Sequence, residues 1–149
     1  MKQITNIAEA ANYKAVNLGQ LKALSEYELA LGPDIKIPGK VFGGSALGTT
    51  GCEFSMQSFM PGTETGFLHT HKKHEELYFF LSGHGEFQVD GDVFPIAEGS
   101  VVRVSPMGKR SVRNTGDSPL IMLCIQYLGN SFRAEDAEDG VILDDEVKW

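Results

Sequence analysis

His69-Thr70-His71-Lys72-Lys73-His74-Glu75-Glu76-Leu77-Tyr78-Phe79-Phe80-Leu81-Ser82-Gly83 is the stretch that decides how this chain folds. Side chains two residues apart on an extended strand point to one face, about 6 to 7 Å apart along the backbone, so the His69 and His71 imidazoles can reach a single ion. Glu76 follows His71 at an odd offset, which on an uninterrupted strand would turn it to the other face. A turn must therefore intervene. Lys72, Lys73, His74 and Glu75 are polar enough to make it, and Glu76 then heads a returning antiparallel strand opposite the two histidines.

Outward from this stretch, 17 glycines punctuate short apolar runs at intervals suited to an all-β domain. Strands are expected over Cys52 to Met60, Phe67 to His71, Glu76 to Leu81, Val101 to Ser105, Arg110 to Arg113 and Leu120 to Leu128. Phe87 to Asp90 should pair with Val93 to Ile96 across an Asp90-Gly91 hairpin turn. Glu76 to Leu81 is apolar in both phases, as is a strand covered on both sides. Tyr78 and Phe80 share the inward face of Glu76. Leu77, Phe79 and Leu81 face outward and need a cover, either the first fifty residues or a second copy of the chain, and a homodimer is expected. In the amino-terminal segment, Asn6 and Glu9 have the spacing of a capping box that opens a helical turn at Ile7 to Ala11. Tyr13 to Leu18 and Lys40 to Leu47 read as strands, and Gln20 to Leu31 as either type.

With 149 residues and 42% apolar composition, the chain can bury one core of its own. A net charge of −7 argues against nucleic acid or an anionic membrane as partner, since each requires a basic patch. Seven acidic residues against two basic ones between Arg133 and Lys148 concentrate that charge in a carboxy-terminal tail, read as a solvated segment. Met1 to Tyr13 contains no apolar run of the signal-peptide kind, and Leu120 to Ile125 falls far short of the roughly 20 residues that span a bilayer. A soluble, cytoplasmic protein is expected. Cys52 and Cys124 fit neither a disulfide framework nor a metal-binding pair, and are read as reduced.

Gly62, His69, His71, Glu76 and Gly83 resemble the first motif of the cupin superfamily, with one extra residue between Gly62 and His69. The resemblance covers about residues 52 to 128. It implies an all-β double-stranded β-helix, a jelly-roll barrel over residues 52–130, with an irregular amino-terminal extension at 1–51 and an acidic tail at 131–149. In the second motif of that family a Pro-x-Gly precedes a histidine, the fourth metal ligand, and then an asparagine. Gly99, Pro106, Gly108 and Asn114 are present, but the histidine is not. Counted forward from Gly108 its place falls on Ser111; counted back from Asn114, on Arg110.

Three arrangements are open. A divalent metal (Fe, Mn, Ni or Zn) is held by His69, His71 and Glu76 alone, with other positions left to water or substrate. Alternatively His74, His84 or Gln57 replaces the missing ligand, although His74 and His84 read as turn or solvent-facing residues. In the third, no metal is bound, and Arg110 pairs with Glu76 or holds an anion. If Arg110 faces inward, its planar donor fork suits a small, anionic molecule, with Gln57 and Tyr78 as further substrate-binding candidates. No catalytic residue is assigned. The resemblance implies an oxygenase, isomerase or lyase that uses its metal, or a non-catalytic cupin that binds or senses a small molecule.

Overall fold

The computed structural model describes residues 2–149. In chain order the strands are β1 (Thr5–Ala10), β2 (Tyr13–Asn17), β3 (Glu28–Ala30), β4 (Lys36–Pro38), β5 (Lys40–Phe42), β6 (Cys52–Phe59), β7 (His74–Ser82), β8 (His84–Val89), β9 (Asp92–Ala97), β10 (Val101–Val104), β11 (Arg110–Asn114) and β12 (Leu120–Leu128). Short 3-10 turns at Leu21–Glu26 and Ala134–Glu138 and one helical turn, α1 (Gly44–Leu47), complete the chain. Two sheets make the barrel: a five-stranded one in the order β10-β7-β12-β6-β5 and a three-stranded one in the order β11-β8-β9. The hairpins β1-β2 and β3-β4 stand beside them.

The interior follows from alternation along the strands. On β7, Glu76, Tyr78 and Phe80 are buried while Leu77 and Phe79 are half-buried and Leu81 is exposed. Tyr78 and Phe80 pack with Phe59, Phe87, Val112, Leu120, Met122 and Cys124 into one apolar cluster between the sheets. The β8-β9 hairpin turns at Asp90-Gly91, both with positive φ, as a two-residue hairpin turn twisted with its strands requires. Gly83 joins β7 to β8 at φ +80°, where a Cβ would sit 2.6 Å from the Pro119 carbonyl oxygen, so no other residue fits without moving that backbone. Asn114, 2% exposed, ties down the neighbouring loop: its amide donates to the Phe59 and Ser118 carbonyls, and its oxygen accepts from the Gly116 amide.

Four expectations need correction. Ile7 to Ala11 is not helical: Ile7 to Ala10 belongs to β1, which pairs with β2 across a turn that begins at Ala11, and Glu9 lies directly opposite Lys14 and forms an ion pair with it at 3.4 Å, instead of closing a capping box. Lys40 to Leu47 is not one strand, because the chain leaves the sheet after Phe42 and enters α1. At that exit Gly43 lies under the Phe54 ring, where a Cβ would approach Phe54 to 2.0 Å. Phe67 to His71 is not a strand either; it meets β11 through one isolated bridge, His69 with Arg110, and a second bridge, Glu64 with Arg113, precedes it. The fourth correction concerns Glu76. Its strand does not return against the histidines but pairs with β10 and β12 in the larger sheet, whereas the histidine segment is bonded to the smaller one. The two halves of the opening motif thus meet across the barrel, face to face.

The segment before β5 covers part of the outer face of the larger sheet. Leu24 and Tyr27 are buried against Met56 and Ile121, with Ile4, Leu18, Val41 and Leu123 around them. No helix among the described residues is long and apolar enough to cross a membrane.

Candidate metal and small-molecule site

A cavity of about 330 Å³ opens into the barrel, at the small end of the range for ligand sites. All six residues singled out from the sequence line it: His69, His71, Glu76, Arg110, Gln57 and Tyr78. Its mouth is apolar, with Phe42 and Phe67 on the rim and Leu29, Leu31 and Ile37 contributed by the β3 and β4 region.

On β11 it is Arg110 that reaches Glu76. Arg110, Val112 and Asn114 are buried in alternation while Ser111 is half-buried, and Arg110 is only 1% exposed. Its Nη2 and Nε donate to Glu76 Oε2 at 2.6 and 3.0 Å, and Nη1 donates to the Gly108 carbonyl at 2.8 Å. Tyr78 Oη accepts from Arg110 Nε at 3.2 Å and donates its own proton to Glu76 Oε2. Burial by itself would raise the Glu76 pKa. The neighbouring His69 imidazole, the Tyr78 hydrogen bond and the Arg110 guanidinium outweigh that and hold the carboxyl well below the usual carboxylate range. The Tyr78 hydroxyl is pushed up by burial, with the nearby Cys124 and Glu76 adding to it, so it stays a neutral donor.

The histidines are placed differently. His71 Nε2 lies 3.1 Å from Glu76 Oε1, and His69 Nε2 lies 3.7 Å from Oε2. The rings are 5.5 Å apart and nearly perpendicular. His69 Nδ1 is buried without a hydrogen-bond partner among the described residues, and His71 Nε2, though close to Glu76 Oε1, is not aligned with it for a hydrogen bond, a costly state for ring nitrogens unless something else engages them. One ligand atom from each of His69, His71 and Glu76 lies within 4.8 Å of the others. Burial lowers the His71 pKa, although Glu76 opposes it, and this favours the neutral imidazole that a metal requires. The donor set therefore fits a divalent ion.

The other histidines stand apart from this cluster. His74 begins β7 and shares a hydrogen bond with Gln126 at 3.2 Å, and His84 is exposed, with its ring against Gly116.

A profile of the cupin domain matches residues 55–126. The crystal structure of a cupin protein from Bacteroides fragilis is 30% identical, with a TM-score of 0.69 over 90% of this chain and 99% of that one. This chain belongs to the cupin family. An oxalate-binding protein of Thermotoga maritima is 33% identical over 75 residues, which cover 50% of the cupin described here and 61% of that protein. An uncharacterized protein of Methanocaldococcus jannaschii is 30% identical over 71 residues, 48% of this chain and 57% of that one. The chain thus spans about three fifths of the length of these curated relatives.

Two lining residues of this cupin were not legible as such in the sequence. Lys40, read only as the start of a strand, points inward from β5, and Cys124 lies in the wall beside Tyr78. The inward position of Lys40 follows from its register opposite Gln57, a pairing between strands that local sequence does not encode.

Proposed function

We propose that this cupin holds one divalent metal ion on His69, His71 and Glu76 and takes a small anionic molecule into the barrel. The carrying observation is the convergence of one ligand atom each from His69, His71 and Glu76 within 4.8 Å of one another. Two imidazoles and a carboxylate suit Fe, Mn, Ni or Zn alike. When bound, such an ion supplies a Lewis acid that polarises a substrate oxygen. Arg110 occupies the place of the family's fourth-ligand histidine, keeps Glu76 ionised and orients it through two charge-assisted hydrogen bonds. Tyr78 donates to the same Glu76 oxygen, and Gln57 lines the cavity from β6 of the same sheet.

The anionic ligand class draws support from the Thermotoga relative, which is named for binding oxalate, a small dianion. Turnover as an oxygenase, isomerase or lyase is one use of such a site. Binding or sensing without turnover is the second reading, favoured by the replacement of a fourth ligand with an arginine already bonded to Glu76. We also place the protein in the cytoplasm as a homodimer, packed on the outer face of the larger sheet where Val101 is 56% exposed and Phe79 half-buried. A monomeric mass by light scattering at micromolar concentration rules the dimer out.

Elemental analysis of the purified protein tests the metal. About one divalent ion per chain is expected, and it should vanish in His69→Ala, His71→Ala and Glu76→Ala. Wild-type protein free of metal, and identical to the variants, ends the proposal.

A further inference from the structure

On β5 and β6, away from the histidine cluster, Lys40 and Gln57 are direct register partners whose side chains share the inward face with Met122 and Phe80. Gln57 is 5% exposed and lines the cavity, yet its carboxamide makes no hydrogen bond to another described residue. Lys40 lines the same cavity and has no ion pair or hydrogen bond among the described residues; its Nζ sits 5.4 Å from the centre of the Phe42 ring. The other charged lining groups are engaged. Arg110 is bonded to Glu76, and Glu53 accepts from the Gly44 and Phe54 amides at 2.7 and 2.9 Å. Both polar ends therefore face the cavity with no partner in the fold, and both can engage an acceptor that enters it. Burial also lowers the Lys40 pKa, an effect that Cys124 and Glu76 only partly oppose.

We propose that Lys40 and Gln57 form the carboxylate-binding wall of this cavity, so that the ligand carries a carboxylate at the end that meets β5 and β6. This assignment rests on the anionic ligand of the proposed function and adds where its charge is held. A single ammonium beside one carboxamide matches the charge and the acceptor count of a carboxylate; a phosphate dianion calls for more donors than this wall presents. The apolar Met122 and Phe87, which line the same cavity, suit the carbon body of an organic acid. The ligand's other end then faces His69, His71 and Glu76.

Isothermal titration of malonate, succinate and glutarate, with their monoamides and inorganic phosphate as comparisons, into the full chain tests this assignment. Wild type should bind at least one dicarboxylate. Lys40→Met should weaken that binding about ten- to hundredfold, the range of one charge-assisted hydrogen bond, while Lys40→Arg restores most of it. Gln57→Leu should weaken it less. Metal content should stay at the wild-type value in all three variants, which separates this wall from the metal cluster. If Lys40→Met binds within twofold of wild type, the wall is misassigned and the proposed function stands. If wild type binds phosphate but no carboxylate, the ligand class is wrong. If it binds no anion at all, both this assignment and the anionic ligand fall, whatever the metal analysis shows.

Discussion

Arg110 and Lys40 are both cations on the cavity wall, and they stand in opposite conditions. Arg110 is 1% exposed, bonded twice to Glu76, and supported by Tyr78 and the Gly108 carbonyl. Lys40 faces the same space with no ion pair or hydrogen bond among the described residues. A buried charge with its partner is part of the structure, whereas a half-buried charge without one is available to a ligand. The difference divides the cavity into a wall that is complete in the folded chain and a wall that a ligand completes.

The strongest way to break this contrast is to remove the arginine. Arg110→Met leaves the Glu76 carboxylate buried without its cation and should cost about 3–5 kcal/mol, lowering the melting temperature on the order of 10 °C. A chain that melts within about 2 °C of wild type would mean that Glu76 is held by something other than Arg110.

Lys40→Met should act in the other direction. Methionine fills similar space without a charge to desolvate, and the melting temperature at neutral pH should rise by a few degrees, about 1–2 kcal/mol. The sign of its pH dependence follows from the lowered pKa. Because Lys40 gives up its proton more readily in the folded chain, the unfolded chain binds more protons between the folded and unfolded pKa values. Wild-type stability relative to Lys40→Met should therefore climb as pH rises through that window, and the gain from methionine should disappear toward about pH 10.4, the ordinary lysine value. Melting both proteins from pH 6 to pH 10 measures the convergence. Parallel curves would show that Lys40 carries no burial penalty.

The smallest effect concerns Cys124, which lies between the two walls, opposite Ser55 on β6 and Tyr78 on β7. Burial pushes its thiol up to about 12. At pH 8 a thiol-specific reagent should modify the half-buried Cys52 and leave Cys124 unreacted in the folded chain. Rapid labelling of both would mean that this wall opens readily.

The barrel was more legible than the segment before it. Leu120–Leu128 and the Asp90-Gly91 hairpin lie where apolar alternation and turn chemistry put them, because those signals are local. The β1-β2 hairpin was missed for a related reason. Its strands are largely exposed on both faces, so no period-two pattern marks them, and the Asn6 and Glu9 spacing was left to suggest a helix. The site was legible as a set of residues and not as an arrangement. His69, His71 and Glu76 were recognisable by spacing, but their convergence from different sheets, and the inward place of Lys40 opposite Gln57, depend on strand pairings between distant parts of the chain. Arg110 and Ser111 are equivalent by spacing, and the inward place of Arg110, in alternation with Val112 and Asn114, is set by the pairing of β11 with β8.

Titration of a divalent ion such as Mn or Zn into metal-stripped protein tests the central claim most directly, with calorimetry and a parallel thermal melt as readouts. One ion per chain should bind to wild type and to Lys40→Met alike, and saturation at about 100 times the dissociation constant should stabilise the fold by about 2.7 kcal/mol. His71→Ala should lose both the binding and the stabilisation. A stripped wild type that takes up no ion, or one matched by His71→Ala, would contradict the account.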